Sequence, residues 1–280
     1  MLVGLNSVTS AAAGKDYAIP AFNVFGYEDA ISVVRAAEAL RTPVILAANI
    51  PALAHMPLPY LAPLLLRIAE QASVPVCIHL DHGKSFEYVM NAIKHGFPSV
   101  MFDGSQLPFE DNVRITKDIV KAAHAFGVDV EAEIGSVGYS DPSMKMKHEI
   151  SSPDEVEAFV KETGVDAVAV SVGTLHRMED QSANIDFGLL ERIQSKVDIP
   201  LVIHGATGVP DEQLKQLIKY RVGKINIGTA LRMSFGRSLR ETINASPSEF
   251  DRIKWFAESM IAVQEAASRK LQLLGCKERI

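Results

Sequence analysis

Short apolar runs alternate with amphipathic stretches along nearly the whole chain. The runs cover residues 18–24, 43–48, 74–80, 99–103, 129–134, 166–172, 199–204 and 224–227. They are rich in Val and Ile and do not alternate polar with apolar, the pattern of parallel strands covered on both faces. Between them, apolar positions recur at helical spacing. Ser152-Pro153-Asp154-Glu155 predicts a helix start, a capping box with proline at the first helical position. Pro108-Phe109-Glu110-Asp111 and Pro210-Asp211-Glu212 place acids in a first turn, where the helix dipole favours them. Eight strands in β–α alternation favour a single (β/α)8 TIM barrel over residues 1–280. An open doubly wound sheet is the alternative, since one strand more or less changes the count. The last helical segment, 247–274, is long for a barrel helix and suits packing across the barrel or between subunits.

Composition narrows the picture. With 48% hydrophobic and 22% charged residues, the 280-residue chain can build a core without disulfides. A net charge of −6 and no long basic run argue against nucleic acid as a partner. Cys77 and Cys276 form no spacing motif, which fits a reducing, cytoplasmic setting. No basic stretch precedes an apolar run at the N-terminus, so no signal peptide is expected. The most apolar stretch, 61–66, is too short to span a bilayer.

Barrel active sites lie at the C-terminal ends of the strands, which tests the eight histidines. His82 follows the third run, His176 the sixth, and His204 closes the seventh. His55, His79, His95, His124 and His148 fall in loops, on helices or inside a strand. A lone histidine near a strand end is ordinarily a satisfied polar residue. Three from separate strand ends of one barrel can converge, and three neutral imidazoles with an open fourth position make a catalytic zinc site. Asp81, beside His82, suits a general acid/base whose side chain diverges from the ligand, or a structural cap on the next helix.

The loops after the seventh and eighth strands read Gly205-Ala206-Thr207-Gly208 and Asn226-Ile227-Gly228-Thr229. Small residues there let backbone N–H groups approach an anion, and barrels commonly bind phosphate in these loops. A Schiff-base route needs a desolvated lysine inside a strand or at its C-terminal end. Lys224 is expected to open the eighth strand, at the wrong end, and Lys84 to be solvated past the third. Metal chemistry is therefore the expectation for any carbon–carbon cleavage.

These residues carry a family resemblance. Ala21-Phe22-Asn23-Val24, Leu80-Asp81-His82-Gly83, Val100-Met101-Phe102-Asp103-Gly104-Ser105, Val130-Glu131-Ala132-Glu133-Ile134-Gly135, Gly173-Thr174-Leu175-His176, His204-Gly205-Ala206-Thr207-Gly208 and Lys224-Ile225-Asn226-Ile227 stand in the order found in class II (metal-dependent) fructose-bisphosphate and tagatose-bisphosphate aldolases. The likeness runs from about residue 17 to 275. It implies that His82, His176 and His204 hold Zn2+ and that Asp81 transfers the proton. It implies that Asn23, Gly205, Ala206, Thr207, Asn226, Ile227, Gly228 and Thr229 bind dihydroxyacetone phosphate. Asp103 and Glu133 are implied to lie behind the metal or at an alternative metal position. A monovalent cation and a homodimer or homotetramer belong to the same expectation, as does a phosphorylated ketose substrate.

Four departures surround the expected substrate. Arg177 replaces the usual glycine after the second histidine, and Ala206-Thr207 replace a Gly-Ser pair. Phe25-Gly26 stand where polar residues are usual, and Ala48-Asn49-Ile50-Pro51 where a Ser/Thr-Gly pattern is common. The resemblance thus keeps metal and base but alters the substrate shell, so an anionic ketose other than fructose or tagatose bisphosphate is expected. Arg177 contacts it, or else sits in a surface salt bridge. The segment 136–150, with Lys145, Lys147 and His148, reads as a lid or a solvated loop. Two other functions remain open: a metal-dependent lyase or epimerase acting on a sugar acid, and a sugar-phosphate-binding relative without turnover.

Overall fold

A computed structural model describes residues 1–141, 143 and 146–280. The strands are β1 (Ile19–Asn23), β2 (Val44–Asn49), β3 (Val76–Gly83), β4 (Ser99–Phe102), β5 (Asp129–Ile134), β6 (Ala167–Val170), β7 (Leu201–Ile203) and β8 (Val222–Ile227). All pair in parallel, in sequence order, and β8 returns to β1 through Ile19↔Lys224 and Ala21↔Asn226. This is the closed (β/α)8 barrel, and the open sheet is excluded.

The helices are α1 (Leu5–Ala12), α2 (Tyr27–Leu40), α3 (Ile50–His55), α4 (Leu58–Gln71), α5 (Phe86–Lys94), α6 (Phe109–His124), α7 (Pro153–Thr163), α8 (Phe187–Gln194), α9 (Asp211–Leu217), α10 (Thr229–Ala245) and α11 (Arg252–Leu273). Local chemistry sets several starts. The Asp186 and Asp251 carboxylates accept from Leu189 N (2.8 Å) and Ile253 N (2.9 Å), satisfying amides that the helix leaves without partners. Glu110 and Asp111 do fall in the first turn of α6, and Asp211 and Glu212 in that of α9. The capping box at Ser152 does not form: its side chain makes no cap hydrogen bond, and α7 starts on Pro153 with Asp154 and Glu155 in its first turn.

The core is the double-faced packing expected of buried parallel strands. Alternate β-residues face the surrounding helices, as Ile225 and Ile227 do, and their neighbours face the barrel axis. α11 uses the spaced buried residues Ser259, Val263, Ala266, Ala267 and Leu271 to pack on α2, with α10 alongside. No described helix is long and apolar enough to cross a membrane.

The axis of the barrel is unusual in one layer. Branched apolar residues normally fill a TIM barrel. Here His79, Ser99, Glu131 and Lys224 are all fully buried. Lys224 does not open β8; Val222 does, and Lys224 lies two residues in, its Nζ 2.8 Å from Glu131 Oε2.

Candidate active site and metal centre

A cavity of about 300 Å3 opens above this layer, at the C-terminal ends of the strands. Asn23, Asp81, His82, Asp103, His176, Arg177, Gly205, Ala206, Thr207, Asn226, Gly228 and Thr229 line it, so most of the predicted site is in one place. Ile227 is not part of the lining: strand alternation turns its side chain into the core, where it is 1% exposed. Glu133 lies buried beneath the lining.

Asp81 and His82 are consecutive, and a regular strand would aim them at opposite faces. His82 instead has φ 57°, a left-handed conformation unusual for histidine, and the β3–β4 register slips between Leu80 and Gly83. Both side chains therefore enter the cavity, with His82 Nε2 3.9 Å from Asp81 Oδ1. The expected divergence does not occur, and Asp81 caps no helix. Asn23 Nδ2 donates to one of its carboxylate oxygens (2.8 Å) and Asn226 Nδ2 to the other (2.9 Å). Burial pushes this carboxyl up, but positive charge at His82, His204 and Lys224 outweighs it and holds Asp81 well below the usual carboxylate range.

The three histidines form one cluster. Ring centroids lie 5.0 Å apart for His82 and His176, 4.7 Å for His82 and His204, and 5.9 Å for His176 and His204. One nitrogen from each falls within 4.8 Å of the others. Carboxylates behind two of the rings assign the tautomers. His82 Nδ1 donates to Asp103 Oδ2 (2.7 Å), leaving Nε2 to face the cavity. His204 Nε2 donates to Glu131 Oε1 (2.9 Å), leaving Nδ1 to face it. These two inward nitrogens are 3.0 Å apart, and two nitrogens on a tetrahedral zinc are about 3.3 Å apart. Two nitrogens this close need either a shared proton or a metal ion between them. The donor set fits a zinc ion.

Protonation of the bare chain follows the same logic. Burial lowers the His82 imidazole, but Asp81 and Asp103 outweigh it and raise it to about 9. Burial, then the neighbouring positive rings, push His176 well down. His204 is also lowered, with burial the main cause.

Glu133 marks a second cluster with His82 and Asp103. One of its oxygens accepts from Val137 N at 2.9 Å, and the other is buried without a partner among the described residues. Burial and the Asp103 charge push its carboxyl up to about 8.

The anion-binding loops are tightly built. Gly205 has φ 70°, and a Cβ there would stand 2.5 Å from Leu175 O, so only glycine lets the β7 loop pass against the β6 loop. Thr207 Oγ1 accepts from Ala230 N (3.3 Å), tying this loop to the start of α10. Arg177 has a left-handed backbone, φ 58°, a conformation that favours glycine, and its guanidinium lies 5.6 Å from the Tyr139 ring centroid. It lines the cavity and forms no ion pair among the described residues, so the surface salt-bridge alternative does not hold.

Several site residues escaped sequence reasoning. Arg232, one turn into α10, lies 5.3 Å from the Phe25 ring centroid and lines the cavity with it. Lys84 is exposed as expected, yet it borders the cavity and pairs with Asp103. Tyr139 and Val137 line the cavity from the segment expected to be a lid or a loop. Described parts of that segment are pinned: Ser136 bridges to Glu149, His176 N donates to Gly138 O (2.8 Å), and Lys147 pairs with Glu149. Gly138 N donates to His148 Nδ1 (3.3 Å), and Lys145 lies outside the described residues.

Fold and site together define a (β/α)8-barrel enzyme with its chemistry at the C-terminal ends of the strands. Residues 3–279 match the family model for class II fructose-bisphosphate aldolase. The chain is 36% identical over 301 aligned positions to fructose-bisphosphate aldolase of Thermus caldophilus, with 98% of each covered. It is likewise 36% identical to a probable fructose-bisphosphate aldolase of Bacillus subtilis (strain 168), again with 98% of each covered. The crystal structure of the YdjI aldolase from Escherichia coli K12 superposes with a TM-score of 0.88 at 33% identity, covering 99% of this chain and 98% of that one. The chain belongs to the class II fructose-bisphosphate aldolase family and is an aldolase, a carbon–carbon lyase.

Proposed function

We propose that the chain is a zinc-dependent ketose phosphate aldolase, reversibly yielding dihydroxyacetone phosphate and an aldehyde. The observation that carries this reading is the convergence of His82, His176 and His204 beside a buried, doubly hydrogen-bonded Asp81. The three histidines are the ligands. When bound, zinc supplies Lewis-acid stabilisation of the negative charge left on the three-carbon fragment. In cleavage, Asp81 takes the proton from the hydroxyl on carbon four, and the bond between carbons three and four breaks. In synthesis, the Asp81 acid returns that proton to the aldehyde oxygen. Asn23 and Asn226 keep the carboxylate aimed at the cavity. The backbone at Gly205, Ala206, Thr207, Asn226, Ile227, Gly228 and Thr229 receives the phosphate, with a monovalent cation beside it. Asp103 orients His82, and Glu133 backs it.

Arg177 sets the substrate. Its planar, permanent charge has no partner ion among the described residues and faces an anionic group on the ketose. The substrate is an anionic, ketose-bisphosphate-like sugar, and the altered shell favours one other than fructose or tagatose bisphosphate. One barrel domain over residues 1–280 carries the activity. Two buried, unpaired cysteines support a cytoplasmic setting. Phe250, Ile253 and Ile261 are exposed at the end and flank of the α10–α11 hairpin, which supports assembly as a homodimer or homotetramer.

The test is a coupled assay for dihydroxyacetone phosphate run over a panel of ketose mono- and bisphosphates. Release from at least one, abolished by a chelator, is expected. Zinc-dependent turnover of a sugar acid without dihydroxyacetone phosphate would replace this reading with a lyase or epimerase.

A further inference from the structure

We propose that the buried Lys224–Glu131 pair is a positioning device that fixes the tautomer of His204 and so makes its Nδ1 available to metal. The inference rests on the zinc-site reading above. Lys224 and Glu131 are both completely buried in the barrel axis. Lys224 Nζ lies 2.8 Å from Glu131 Oε2 and 3.2 Å from Oε1. Glu131 Oε1 in turn accepts from His204 Nε2 at 2.9 Å. His79 approaches the same carboxylate, with Nε2 3.5 Å from Oε2, and its Nδ1 is 2.7 Å from Ser99 Oγ.

A buried ion pair is a poor device for stability alone, because well-packed apolar residues of similar volume usually serve as well or better. Branched aliphatics fill this layer in ordinary barrels. What apolar residues cannot do is dictate which imidazole nitrogen carries the proton. A carboxylate only accepts, so whichever way it turns, His204 must keep its hydrogen on Nε2. Its Nδ1 lone pair then faces His82 Nε2 at 3.0 Å and receives a hydrogen bond from Asn226 Nδ2 at 3.1 Å. Lys224 holds the carboxylate in that orientation and balances its charge. Neither residue lines the cavity, so both act through His204.

This logic predicts an order among variants that simple loss of packing would not produce. In Glu131→Gln, an amide NH2 cannot sit 2.8 Å from the Lys224 ammonium, so the amide oxygen takes the Oε2 position and the NH2 takes the Oε1 position facing His204. Nε2 must then accept, and the proton moves to Nδ1, blocking the ligand position. In the double variant Glu131→Gln/Lys224→Met the amide oxygen is free to turn to His204 and restore the Nε2–H form.

Zinc dissociation constants are measured by chelator competition on folded apoprotein, with the His204 tautomer read from 15N chemical shifts of histidine-labelled apoprotein. We expect zinc binding to weaken about 10–100-fold in the single variant and to recover most of that in the double. Wild-type apoprotein carrying the proton on Nδ1 of His204 overturns the proposal whether or not a variant folds. So does a double variant no tighter than the single, or single-variant affinity within about threefold of wild type. Failure of the wild type to bind zinc at all would instead defeat the underlying metal reading.

Discussion

The floor and the rim of the cavity are built on opposite terms. On the floor, charges are committed: Asp81 to Asn23 and Asn226, His82 to Asp103, and His204 to Glu131 and through it to Lys224. At the rim, Arg177 and Arg232 rest on the aromatic faces of Tyr139 and Phe25 and have no ion-pair partner among the described residues. A preorganised floor needs no rearrangement when charge moves, which is what proton transfer and charge stabilisation require. Free guanidinium groups at a rim are poised for a ligand. The contrast separates chemistry, fixed by the floor, from substrate choice, left to the rim.

The sharpest way to break that contrast is at the proton-transfer residue. Asp81→Ala is expected to retain zinc while kcat falls about 10²- to 10⁴-fold, the range for a positioned acid/base. Metal analysis beside steady-state kinetics checks both halves, and activity within threefold of wild type would remove Asp81 from the mechanism. Asn23→Ala takes away one charge-assisted hydrogen bond to the same carboxylate. A loss of about 10- to 100-fold in kcat/KM, with zinc content unchanged, is expected from such a bond.

The rim should respond differently. Arg177→Gly restores a residue suited to φ 58° and should raise unfolding free energy by about 1 kcal/mol in denaturant titration. The same change should reorder relative rates across a panel of ketose phosphates while zinc affinity stays put. Unchanged relative rates would detach Arg177 from substrate choice.

Much of this was legible in the sequence because the barrel imposes a strong rule. Eight continuous apolar runs gave the strands, and asking which histidines end a run isolated His82, His176 and His204. What escaped depends on geometry finer than periodicity. The start of β8 lies two residues before the expected position, so Lys224 lies inside the strand with its side chain in the axis rather than at the strand's opening. The left-handed turn at His82 overrides strand alternation and brings Asp81 alongside it. Arg232 sits one turn inside a helix, where no strand-end rule looks. Glu131 was visible only as part of a motif, because its importance comes from partners 73 and 93 residues away.

The most direct measurement is metal content against activity on the purified protein. The account predicts one zinc per chain, loss of dihydroxyacetone phosphate release when a chelator removes it, and recovery on adding zinc back. Full aldolase activity in a preparation shown to be metal-free would contradict it.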